Sequence, residues 1–115
     1  MSRDFVNATC GALPGADYSE PFGPGTAVWK VGAKIFAAVG SEDRGVSVKC
    51  PDVETADMLK DAGVAQKAAY FHKSWVFLPF GQTDDAEFAH RIHVSYDTIR
   101  ASLTKKVQAT LAPRD

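Results

Sequence analysis

The apolar positions of this chain change period several times, and those changes divide it into elements. From Thr83 onward Phe88, Ile92, Tyr96, Ile99 and Leu103 step by four, four, three and four, which places them on one face of a helix. Asp84 with Glu87 makes a capping-box-like start, and Val107 and Leu111 could extend the stripe. At the other end Ser2 can cap a first helix running to about Ala12, with Phe5, Val6, Cys10 and Leu13 as its apolar face. Pro14-Gly15 ends it. Asp52 is the expected N-cap of a further helix, with Val53, Ala56 and Leu59 on its buried side and Gly63 as its terminator.

Between the helices the period drops to two. Thr26–Val31 and Lys34–Val39 flank Gly32-Ala33, and glycine at the first position of a two-residue loop predicts a type II′ hairpin. In that register Trp29 faces Phe36 and Lys30 faces Ile35. After the polar turn 40–45 (GSEDRG), a third strand directs Val46, Val48 and Cys50 inward and Ser47 and Lys49 outward. Residues 66–71 and 74–80 read as a second strand pair joined tightly around His72-Lys73. The run Trp75–Phe80 is apolar on both faces, and Pro79 sets it near an edge or an end. Strands grouped as hairpins, rather than alternating singly with helices, predict an α+β fold. The expected architecture is a two-layer sandwich, an antiparallel sheet of about five strands with helices packed on it. A length of 115 residues fits a single domain spanning 1–115, with 104–115 as a helical or frayed tail.

Composition narrows the function classes. The chain is 45% hydrophobic and 23% charged, ordinary for a globular protein. No apolar run approaches the ~20 residues of a membrane span, and the opening MSRDFVNATC lacks an apolar secretory stretch, so a cytoplasmic product is expected. Cys10 and Cys50 lie 40 positions apart without a C-x-x-C pairing, which fits two small core residues better than a disulfide or zinc site. The sequence contains no Walker A, no G-x-S-x-G and no H-E-x-x-H, and a non-enzyme without a cofactor is the expectation. Gly23-Pro24-Gly25 precedes a strand rather than a helix, against a phosphate loop.

Net charge is −1, whereas strong non-specific DNA binders carry a positive excess. Residues 1–27 hold one basic group against three acidic ones, residues 28–75 seven against six, and the remainder five of each. A positive surface must therefore arise by segregation in space.

Several local motifs, in order, resemble the MmcQ/YjbR family: Leu13-Pro14-Gly15, the run Trp29–Ala37, Val48-Lys49-Cys50-Pro51, Tyr70–Val76 and Ser95-Tyr96. The resemblance spans about residues 13–103. It implies a compact sandwich related to frataxin-type and double-wing domains, with DNA binding by analogy to the latter, and a helix break near Val94-Ser95. The chain departs from the commoner pattern at Phe71-His72-Lys73-Ser74-Trp75, where an Asn often precedes the Lys-x-x-Trp stretch. Iron handling, which the frataxin branch implies through an acidic first helix, finds only Asp4 there.

Three groups of residues are candidates for function. Lys30, Lys34, Lys49, His72, Lys73 and Trp75 combine cations that can neutralise phosphates with rings on which bases can stack. The plainer reading is solvated strand lysines that block edge pairing, with the tryptophans in the core. Glu87, His90, His93 and Asp97 share one side of a continuous helix, where metal ligands could converge or where a polar face simply meets water. An apolar surface around Trp75–Phe80 would suit a protein or small-ligand partner if helices cover the sheet on one side only. A monomeric DNA-binding module is the leading expectation, and the apolar sheet surface the alternative.

Overall fold

A computed structural model describes residues 2–114. Helix α1 (Arg3–Gly11) starts where Ser2 Oγ accepts from the Phe5 amide, the cap expected from the sequence. Six strands follow: β1 (Asp17–Ser19), β2 (Ala27–Val31), β3 (Lys34–Val39), β4 (Gly45–Lys49), β5 (Gln66–Lys67) and β6 (Trp75–Pro79). Between β4 and β5 lies α2 (Val53–Asp61), capped by Asp52. The chain ends with α3 (Asp85–Ala101), capped by Asp84, and the short α4 (Lys105–Gln108). The strands form one antiparallel sheet in the order β1-β2-β3-β4-β6-β5. The α+β sandwich expected from the sequence is thus present with one more strand, because the edge strand β1 has no alternating pattern to announce it.

Helix α3 crosses β2, β3 and β4, and α2 packs against β6 and β5. The apolar stripe lies where its period placed it, with Phe88, Ile92, Tyr96, Ile99 and Leu103 all buried. The helix runs unbroken through Val94-Ser95, contrary to the break implied by the family resemblance. Tyr96 fixes it twice: its ring meets Phe36 edge-on at 5.3 Å, and its hydroxyl donates to the Pro14 carbonyl at 2.6 Å. Val107 and Leu111 do not prolong the helix, since it stops at Ala101 and Thr104 caps the separate α4.

The β2–β3 hairpin departs from expectation in two respects. Gly32 and Ala33 both have positive φ, 56° and 68°, which makes the turn type I′ rather than II′. Its handedness matches the strand twist, while Ala33 bears a conformation that few residues with a Cβ adopt. Glycine is required at 32 on a second count, because a Cβ there would lie 2.5 Å from Leu103 Cδ1. The register also shifts: Lys30 opposes Ile35, but Trp29 opposes Ala37 and not Phe36. Phe36 is the extra residue of a β-bulge.

That bulge meets Ser95 of α3. Regular β3–β4 pairing covers Ala37 with Val48 and Ala38 with Ser47. At the next position along, the Lys49 amide donates to Ser95 Oγ at 2.8 Å, and Ser95 donates to the Phe36 carbonyl at 2.6 Å. A fully buried helix hydroxyl therefore bridges the place where the two strands part, satisfying backbone groups that could not be left unpaired.

The expected tight turn at His72-Lys73 is instead a longer connection, 68–74, because β5 is only two residues long. Phe71 folds back and stacks on Trp75, with ring centroids 4.2 Å apart.

Candidate nucleic-acid interface

Directly paired residues of an antiparallel sheet share a face. Val46 with Leu78, and Val48 with Val76 and Ala37, are buried and form the side packed by α3. Ser47 with Phe77 and Ala38, Lys49 with Trp75, and Lys30 with Ile35 occupy the opposite face. Lys30 and Lys49 thus stand on one surface, two strands apart, at about 10 Å by normal strand spacing.

Lys49 is also tied to the 68–74 connection. Its Nζ donates to Ser74 Oγ at 2.6 Å, and His72 Nδ1 lies 2.8 Å from the same oxygen and accepts from the Ser74 amide at 3.1 Å. One buried hydroxyl therefore gathers Lys49 and His72 beside Lys73, which is exposed. Lys34 turns elsewhere, donating to Ser102 Oγ at 3.4 Å. It opposes Val31, one residue from the Gly32-Ala33 turn, so it sits at the same end of the sheet on the α3 side. Trp75 is 8% exposed and covered by Phe71, which gives it a core position.

All four lysines lie toward the end of the sheet marked by the β2–β3 turn, the close of β4 and the start of β6. Lys105 and Lys106, which the sequence reading left in the tail, join them, because Leu103 packs on Gly32 immediately before α4. Asp17, opposite Lys30, and Asp52, the α2 cap, are nearby. Among the described residues, no ion pair engages Lys30, Lys34, Lys49 or Lys73.

Acidic groups concentrate at the other end, around the β3–β4 turn. Glu42 and Asp43 are in that turn, with Arg44 beside them. Arg3 ties Asp4 to the same region by bonding Asp43 and the Gly40 carbonyl at 2.9 Å each. Asp84, Asp85 and Glu87 follow β6, whose last residue Pro79 pairs with Gly45. The arrangement suits α3 as well, since its N-terminus carries carboxylates and its last turn carries Arg100.

The Glu87, His90, His93, Asp97 group does not come together. Glu87 is 3.1 Å from Arg91, and Asp97 makes a two-bonded pair with Arg114 at 2.8 Å. Burial, with help from the Arg114 guanidinium, holds the His93 pKa below its usual value. No group of three or more His, Cys, Asp or Glu among the described residues could hold a metal ion. Cys10 and Cys50 are both buried, and burial raises both thiol pKa values.

The face turned from α3 also contains a concavity of about 990 Å³. Ile35, Ala38, Ser47 and Phe77 form its floor. Phe22 and Thr26 border it from the β2 flank, and Tyr70 and Phe71 from the β5 flank. The sequence reading missed Phe22 and Tyr70, because one lay in a broken loop and the other in a run taken for strand.

A family model described as YjbR matches residues 11–98. The chain belongs to the YjbR family. This YjbR-family domain is similar in fold to the crystal structure of Deinococcus radiodurans protein DR2400, which carries the DUF419 family-model domain. The two share 22% identity with a TM-score of 0.81, over 93% of this chain and 85% of that one. No curated protein matches the chain. No helix among the described residues is long and apolar enough to cross a membrane.

Proposed function

We propose that this YjbR-family protein is a cytoplasmic, monomeric, non-catalytic DNA-binding module that contacts phosphates through Lys30, Lys34, Lys49 and Lys73, with His72 beside them. The observation that carries this reading is the gathering at one end of the sheet of ammonium groups that form no ion pair among the described residues, with carboxylates concentrated at the other end. A net charge of −1 does not forbid such binding, because a polyanion responds to the local field of the surface it meets.

Fluorescence anisotropy with labelled DNA across a salt series tests it. Affinity is expected to fall linearly with log salt, by about 0.9 in slope for each duplex phosphate contacted. Lys34→Glu and Lys73→Glu each weaken binding for all sequences alike. Absence of binding at low salt overturns the proposal.

A second reading is favoured by the concavity: its floor is largely apolar, and its volume lies at the upper end of the range for small-molecule pockets. Under that reading the sheet face takes a small ligand or a protein and DNA is not bound. Binding of an apolar-surface dye, or self-association in light scattering, supports it. A strict monomer that ignores the dye counts against it.

A further inference from the structure

The concavity and the lysines share one sheet face, and their order along the strands is that of a nucleotide. Lys30 and Lys49 stand at one end. Ser47 and Phe77 lie two residues further along β4 and β6, and Gly45 two further again, about 13 Å from Lys49 at normal strand rise. The middle of this track is the apolar floor, and the far end is closed by the turn that holds Glu42, Asp43 and Arg44, where Arg44 pairs with Glu42 and Arg3 with Asp43. Cationic, then flat and apolar: that sequence complements a phosphate and then a base ring.

Two exposed aromatic side chains flank the floor. Phe22 is 69% exposed and Tyr70 is fully exposed. Tyr70 has a φ of 72°, a conformation rare for a bulky side chain and strained, and such strain clusters at binding sites. A duplex keeps its bases stacked and offers no ring to this slot, whereas an unpaired strand does.

We infer that the open sheet face binds single-stranded nucleic acid, with phosphates at Lys30 and Lys49 and a base over Phe77 and Ile35, clamped by Phe22 and Tyr70. This rests on the phosphate-binding reading above and narrows its substrate to the unpaired strand.

The test compares a labelled single-stranded oligonucleotide with its own duplex, in wild type and in Tyr70→Asn and Phe22→Ala. Both side chains project into solvent and asparagine tolerates the left-handed backbone, so the melting temperature stays at the wild-type value. The single strand binds more tightly than the duplex, and each aromatic variant loses about 5- to 150-fold in affinity. Those two variants leave the salt slope unchanged, while Lys49→Gln reduces it by about 0.7. Tyr70→Phe retains binding. Duplex affinity equal to or above that of the single strand, with silent aromatic variants, overturns this inference and leaves phosphate binding standing. Failure of both forms to bind at low salt removes both proposals. A mononucleotide bound as tightly as the strand overturns the strand as occupant.

Discussion

Replacing Ser95 with alanine removes one small group and breaks two contacts at once. Its hydroxyl is the acceptor for the Lys49 amide and the donor to the Phe36 carbonyl, at 2.8 Å and 2.6 Å, inside a site with no solvent access. Each backbone group left without a partner in such a place costs about 1–3 kcal/mol. Alanine is the better helix former, which returns no more than about 0.5 kcal/mol. A net loss of about 2–4 kcal/mol is expected, a large share of the ~5–15 kcal/mol that holds a typical domain folded. With a urea dependence of about 2 kcal/mol per molar, the unfolding midpoint of Ser95→Ala should fall by about 1–2 M at unchanged slope. Hydrogen exchange supplies the residue-level check, because the Lys49 amide should lose its protection while amides in the centre of α3 keep theirs. A midpoint within about 0.3 M of wild type, with Lys49 still protected, would show that β3 and β4 close the gap by pairing directly and would refute the argument.

Other expectations follow from the same packing logic. Gly45→Ala would set a Cβ 2.3 Å from the Leu78 carbonyl and 2.7 Å from the Phe77 ring, so β4 must shift, and a loss of about 1–3 kcal/mol is expected in chemical denaturation. His93 has a folded pKa below its unfolded value, chiefly through burial, so below about pH 6.5 the unfolded chain binds more protons. Stability therefore falls as pH drops from 7 toward 5, and His93→Gln should flatten that decline in denaturation curves taken across the range. The thiols of Cys10 and Cys50, buried with raised pKa values, should resist a thiol reagent in the native protein at pH 8 and react only on unfolding; rapid native labelling of Cys10 would contradict the burial described.

Elements governed by their own local pattern were legible in the sequence. The stripe from Phe88 to Leu103 and the caps at Ser2, Asp52 and Asp84 fall where side-chain chemistry placed them. Features settled by distant partners were not. The bulge at Phe36 depends on Ser95, 59 residues away, and the alternation around Trp29 contains no trace of it. Gly32-Ala33 suggested a II′ turn because alanine rarely takes positive φ, yet Ala33 does so here. The 68–74 connection looked like a tight turn because its order comes from Phe71 on Trp75 and from Ser74 between Lys49 and His72. The candidate site shows the same division. Its residue types could be named in advance, but the lysines come from separate parts of the chain, and only the strand order gathers them at one end.

The separation of acidic and basic groups has a kinetic consequence. A body with a net charge of −1 feels weak repulsion from a polyanion at long range, yet its charge asymmetry applies a torque that turns the lysine end forward. Approach would then be oriented before contact, so that adding salt acts first on how often a collision is productive and only later on how long the complex lasts.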